Sequence, residues 1–145
     1  MAQPVTMKFG KFRVKLGDGG SPEDFGAPCG FTQRSFNRSK ELNDVVIPDC
    51  DNEDAMAHTA RDARSLSASI SGSGVLAKSA YPAWKAAYES SESTNCKIEF
   101  DWDTEVTTIT QRFHLSSLEI SADLGDRVQI SVQMESDGAY TEVTA

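Results

Sequence analysis

Long apolar runs are missing from this 145-residue chain. No stretch approaches the roughly 20 apolar residues that a membrane-spanning helix requires, which tells against a helical membrane span. The opening MAQPVTMKFGKFRV has no apolar core of the kind a secretory leader needs, and the expectation is a protein made in the cytoplasm. Cysteine is scarce: Cys29, Cys50 and Cys96 are odd in number and widely spaced, so reduced thiols are expected rather than a disulfide framework or a metal cluster. Positive charge is also short, with 14 Lys and Arg against 22 Asp and Glu and a net charge of -8. Gripping phosphates needs clustered Lys and Arg, so the balance argues against a nucleic-acid binder. An acidic surface repels DNA.

The groups needed for catalysis are thin as well. His58 and His114 are the two imidazoles, and neither lies in a nucleophile or zinc motif. Asp49, Asp51 and Glu53 alternate like the start of a calcium loop, but the mid-loop glycine is missing and the closing position holds Ala60. Asp101 and Asp103 resemble a carboxylate pair, yet they sit among other acids as solvated strand residues do. The glycines of GDGG lack the strand-to-helix setting and the lysine of a phosphate loop. No nucleophile, base and orienting group can be named together, so the chain reads as a non-enzyme without metal or cofactor.

What is present is strand. The length suits one domain, residues 1–145, with a basic extended segment over about 1–16 anchored by Phe9, Phe12, Val14 and Leu16. A turn cluster, GDGGSPEDFG, follows, then a strand from about Cys29 to Arg38. Residues 39–60 have weak periodicity, Pro48 and six acids, with no Lys or Arg from residue 41 onward; they read as a long loop with one helical turn near Glu53 to Ala60. Residues 65–71 alternate Leu66, Ala68 and Ile70 with Ser65, Ser67, Ser69 and Ser71, and Gly72 and Gly74 are expected to end that strand. AYPAWKAAYE, residues 80–89, is the one helix, with Pro82 in the first turn and an apolar stripe of Ala80, Trp84, Ala87 and Tyr88.

After the helix, Cys96, Ile98, Phe100 and Trp102 alternate with polar residues. Phe113 and Leu115 continue the pattern until Ser116 and Ser117, where one extra residue shifts the phase to Leu118 and Ile120, as a β-bulge does. Val128, Ile130, Val132 and Met134 answer with Gln129, Ser131, Gln133 and Glu135 on the other face. A turn at Asp137 and Gly138 precedes a last strand over 139–143. The fold class is mainly β: an antiparallel β-sandwich or barrel with one flanking α-helix and a long inter-strand loop. Two strand faces, the serines and the Gln/Ser/Glu row, carry no Lys, Arg or ring. Such a face is the water side of any antiparallel sheet, or the wall of a channel.

RFHLSSLEISADLGDRVQISVQMESDGAY, residues 112–140, resembles the C-terminal signature of the phage tail tube (major tail) protein family: a strand into a "sLeIsa" segment, a short turn, and a strand ending near "sDG". CGFTQRSFNRSKELNDVVIPD, then SLSASISGSGVL and a helix, is similar to that family's opening. The order of elements over about residues 29–145 carries the resemblance more than any one motif. PDCDNEDAMAH departs from common members, where a threonine and an aromatic are frequent.

The resemblance implies a structural virion protein of a phage tail, assembled in the host cytoplasm. Six copies would close a ring whose inner strands join into one barrel, and stacked rings would form the tube through which DNA passes. It implies as partners further copies of the chain, the tape measure, tail tip and tail terminator proteins, and DNA only in transit. On that reading Ser65, Ser67, Ser69, Ser71, Glu119, Gln129, Ser131, Gln133 and Glu135 line the lumen. The long loop and the N-terminal segment would make contacts between subunits and rings, and charge nominates Lys8, Lys11, Arg13, Lys15 and Lys40 with Glu41, Asp44, Asp49 and Asp51. The inner tube of a contractile or type VI secretion-like system and a monomeric ligand-binding β-domain are the alternatives.

Overall fold

The computed structural model describes residues 2–19 and 25–145. Most of the turn cluster between the first strands, residues 20–24, lies outside them. A 3-10 turn at Phe9–Lys11 leads into β1 (Phe12–Gly17), and β2 (Phe25–Gly26), β3 (Phe31–Ile47) and β4 (His58–Val75) follow. The helix α1 (Tyr81–Glu89) then precedes β5 (Thr94–Asp101), β6 (Val106–Ser121) and β7 (Gln129–Thr144). The seven strands among the described residues belong to one sheet in the order β2-β1-β5-β6-β7-β4-β3, with every pairing antiparallel.

Two long strands fold this one sheet into two layers. The first half of β6, to Phe113, pairs with β5, and the C-terminal half of β7 pairs only with β6. Beyond Phe113, β6 pairs only with β7, whose N-terminal half, Gln129 to Glu135, also pairs with β4. One layer is thus β1, β5 and the near halves of β6 and β7. The other is the far halves of β6 and β7 with β4 and β3. The doubling at Ser116 sits where the layers part: the register slips between Leu115 and Ser117, and the Ser116 hydroxyl donates to the Gln133 carbonyl (3.0 Å), as the sequence phase shift predicts.

The inward faces of both layers form one core of Val14, Leu16, Ala68, Ile70, Cys96, Ile98, Ile109, Phe113, Ile130, Val132 and Met134. The short helix and its N-cap residue close one end with Trp84 and Ala80, the Trp84 ring meeting Phe31 edge-on at 5.6 Å. A nine-residue helix has little stability alone, so this packing holds it. Of its expected stripe, Tyr88 is instead exposed. Arg34 ties the distant sheet edges together: it donates to the Phe12 carbonyl and lies 4.4 Å over the Phe9 ring. Burial, with the like charge of Arg13, pushes its pKa below the usual arginine value.

Three expectations are corrected. Residues 39–60 are not a loop with a helical turn: β3 and β4 stay paired from Phe31↔Gly74 out to Ile47↔His58, and the connection turns through Ala55 N–H to the Asn52 carbonyl (3.1 Å). The arm stands clear of the core, so its residues show no buried face and its sequence no clear period. Gly72 and Gly74 do not end β4, which runs to Val75. They are small because the chain crosses closely there: a Cβ on Gly72 would lie 3.0 Å from the Phe31 ring, and one on Gly74 2.3 Å from the Gly30 carbonyl oxygen. Asp137 and Gly138 are not a turn between strands, since β7 continues to Thr144. Gly138, at φ +94, is the left-handed residue of a bulge, and the buried Gln111 amide donates to its carbonyl (2.9 Å).

The glycine contact gives a direct test. Gly74→Ala forces backbone apart rather than a flexible side chain, so it is expected to destabilise the subunit by about 1–3 kcal/mol or more. Urea unfolding measures this, and an unchanged midpoint would refute the close crossing.

Candidate functional site: the polar sheet face

Strand register brings all nine lumen candidates to one face of the sheet. On β4 and β7, Ser69 pairs with Glu135, Ser71 with Gln133, Ser73 with Ser131, and Val75 with Gln129. On β6, Glu119 pairs with Ser131, Ser117 with Gln133, and Ser121 with Gln129. The β4 row continues outward through Ser67 and Ser65. Because side chains alternate across a sheet, each of these projects opposite to Ile70, Val132, Met134 and the rest of the core.

The sequence reading missed the fourth strand of this face. Ser71, Ser69, Ser67 and Ser65 pair with Ser35, Asn37, Ser39 and Glu41 of β3, so Gln33, Ser35, Asn37 and Ser39 belong to it. Their signal was available, since they alternate with Arg34, Phe36, Arg38 and Lys40. Neighbouring polar groups bond to one another: the Ser39 and Ser67 hydroxyls are 2.7 Å apart, Ser65 donates to Glu41 (3.2 Å), and the Gln133 amide donates to Glu135 (3.1 Å). Over Gln33–Ser39, Ser65–Ser73, Ser117–Ser121 and Gln129–Glu135 the residues on this face include no lysine or arginine, the Arg64 guanidinium meeting Glu41 only at its outer border (3.3 Å). Beside it lies the imidazole of His114, whose Nε2 is 3.4 Å from Asp137.

Both lateral borders of the polar layer are open. Among the described residues β3 is an edge strand along its whole length, and β6 beyond Phe113 has no neighbour on the side away from β7. Exposed strand edges invite further strands. The projecting arm also shows Leu42, Val46, Ile47, Met56 and Leu66 to solvent.

The nominated charges divide into two groups. Lys11 reaches Asp101 (3.6 Å) and Asp103 (3.5 Å), and Lys15 reaches Glu99 (3.0 Å). Arg13 donates to the Gly10 carbonyl (3.1 Å). Glu41 pairs with Arg64 (3.3 Å) and Asp44 with Arg61 (3.0 Å) along the arm, and Asp49 accepts the Asp51 backbone N–H (2.9 Å) as a turn cap. The backbone N–H of Asp103 holds the Asp101 carboxyl below the usual carboxylate range, and Lys11 adds to this. Among the described residues, Lys8 and Lys40 have no carboxylate within ion-pair distance. No group of three or more potential metal ligands occurs among the described residues, and no helix is long and apolar enough to cross a membrane.

A family model described as phage tail tube protein matches residues 6–142. No curated protein sequence matches the chain. Its fold is similar to a chain from the tail of an empty gene transfer agent particle refined with C6 symmetry, with TM-score 0.77 and 19% identity over 95% of this chain and 99% of that one. It is also similar to a chain of the SPP1 tail tube, with TM-score 0.66 and 12% identity over 96% of this chain and 78% of that one. A chain of the sheath-tube complex of an extracellular contractile injection system aligns with TM-score 0.58 and 13% identity, over 97% of this chain and 91% of that one.

Proposed function

The chain belongs to the phage tail tube protein family, and on that premise we propose how its surfaces build the tube. It is a structural subunit of the virion tail that assembles with copies of itself, not an enzyme. Six copies close into a ring. The free edge of β3 in one copy pairs with the free edge of β6, residues 115–121, in the next, so the four-stranded polar layers join into a continuous barrel. The observation that carries this reading is the coincidence of two features in one layer: a face without Lys or Arg, and an open strand edge on each side. Closure removes edges that would otherwise aggregate.

The polar face then lines the lumen. Serine and glutamine bond to water and to each other, while Glu119 and Glu135 repel phosphates, so DNA passes without adhering. The exposed apolar residues of the arm, Leu42, Val46, Ile47 and Met56 among them, pack on neighbouring copies. With Lys11, Lys15, Glu41 and Asp44 already paired within the subunit, the nominated charges left for contacts between copies are Lys8, Arg13, Lys40, Asp49 and Asp51. Tape measure, tail tip and terminator proteins complete the tail at its axis and ends. The contractile-system likeness extends the same architecture to inner tubes of injection machines.

Thiol labelling tests the orientation. In a chain with Cys29→Ser and Cys50→Ser, Ser131→Cys should react with a bulky protein-linked maleimide before assembly and be protected in tubes. Lys85→Cys, on the exposed helix, should react in both states. Equal reaction of Ser131→Cys in tubes would refute the assignment.

A further inference from the structure

The β6–β7 connection and the arm lie at opposite ends of the long strands. The residues joining β6 to β7 form a tight turn, in which the Asp126 N–H donates to the Asp123 carbonyl (3.1 Å) and Gly125 takes φ +94. This fixes Leu124 outward, wholly exposed at 107%, between Asp123 and Asp126. An apolar side chain held out by a rigid turn and flanked by acids is a knob without a socket in its own subunit.

At the opposite end of the same two strands the two layers do not close. An open groove of about 490 Å³ lies between them, lined by Phe36, Arg38, Phe100, Trp102, Thr107 and Glu142. Its wall includes the rings of Phe100 and Trp102, 6.5 Å apart, and Phe100 is backed by Phe12 at 5.4 Å. Arg38 stands between the Phe36 and Tyr140 rings, 5.1 Å and 5.2 Å away, with no carboxylate in ion-pair range among the described residues. Lys40 follows on the same side of β3.

We propose that the Asp123–Arg127 turn of a copy in one ring seats in the Phe36–Trp102 groove of a copy in the next ring, and that this knob and socket is the head-to-tail contact that stacks rings. The proposal rests on the tube reading above. Leu124 meets the aromatic wall, Asp123 and Asp126 face Arg38 and Lys40, and Arg127 faces Glu142, so apolar surface and both signs of charge are matched. Knob and socket lie at opposite ends of β6 and β7, and a contact between opposite ends of identical units propagates without closing. It gives a stack rather than a ring.

Crosslinking in the full chain tests this. With Cys29→Ser and Cys50→Ser as parent, Leu124→Cys combined with Glu142→Cys should give, on mild oxidation of tubes, a ladder running past the size of one ring. Leu124→Glu, a change at a fully exposed site, should leave the subunit's melting unchanged and lower tube yield more than about tenfold, since an apolar contact is replaced by a buried charge. A ladder that stops at ring size would place the contact within rings and overturn the proposal while leaving the tube reading intact. Absence of crosslinks in tubes seen by electron microscopy would do the same. A parent chain that forms no tubes even when seeded with tail tips would overturn the tube reading, and this contact with it.

Discussion

Replacing Phe113 with alanine is expected to destabilise the unassembled subunit by about 3–5 kcal/mol, the usual cost of emptying a phenylalanine site in a packed core. Phe113 is fully buried and sits in β6 at the point where β5 pairing ends and the two layers part. Its ring therefore supports both layers. Small domains have only about 5–15 kcal/mol in total, so the variant should lose a large share of its stability and assemble poorly. Tyr88→Ala, at an exposed helix position, should change stability by about 0.5 kcal/mol or less. Urea unfolding below the assembly concentration measures both; comparable small losses would mean that the layer junction is not the centre of the core.

The second large effect concerns passage rather than folding. Ser71→Arg with Ser131→Arg puts two guanidinium groups per subunit onto a face that carries no Lys or Arg, at positions flanking the Gly72↔Val132 pair. Both side chains point away from the core, so tubes should form with ordinary length. Phosphate contacts by clustered cations bind DNA strongly and in a salt-dependent way, and stacked rings would multiply them. DNA delivery by particles carrying the variant should fall by at least about tenfold, with the Ser71→Asn, Ser131→Asn pair near the parent. Equal delivery by all three would show that this face does not meet DNA.

What the sequence made legible tracks burial. The serine row on β4 and the Gln/Ser row on β7 were readable because Ile70, Val132 and Met134 mark the opposite face. The bulge at Ser116 was readable because it displaces that alternation by one residue. Where the chain leaves the core, the signal goes: the arm from Lys40 to Ile47 contacts little in its own subunit, so Val45, Val46 and Ile47 show no alternation and a strand resembles a loop. Glycine misled for a related reason. Gly74 and Gly138 look like turn residues, but one admits a backbone crossing and the other takes a positive φ within a strand.

The electrostatic reading met a different limit. Composition shows a basic start and an acidic remainder, but it cannot show that β1 lies beside β5, where Lys11 and Lys15 meet Asp101, Asp103 and Glu99. Pairing two distant segments is a property of topology. The same topology puts β3 into the polar face and leaves β6 half open, and neither fact is written in any single segment.

The most direct measurement is a cryo-electron microscopy reconstruction of tubes assembled from the purified protein, resolved well enough to trace strands. The account predicts a hollow tube with Ser69, Ser71, Ser131 and Gln133 facing the axis and β3 of each subunit hydrogen-bonded to residues 115–121 of its neighbour. A tube in which that face points outward, or in which both strand edges remain unpaired between subunits, would contradict it.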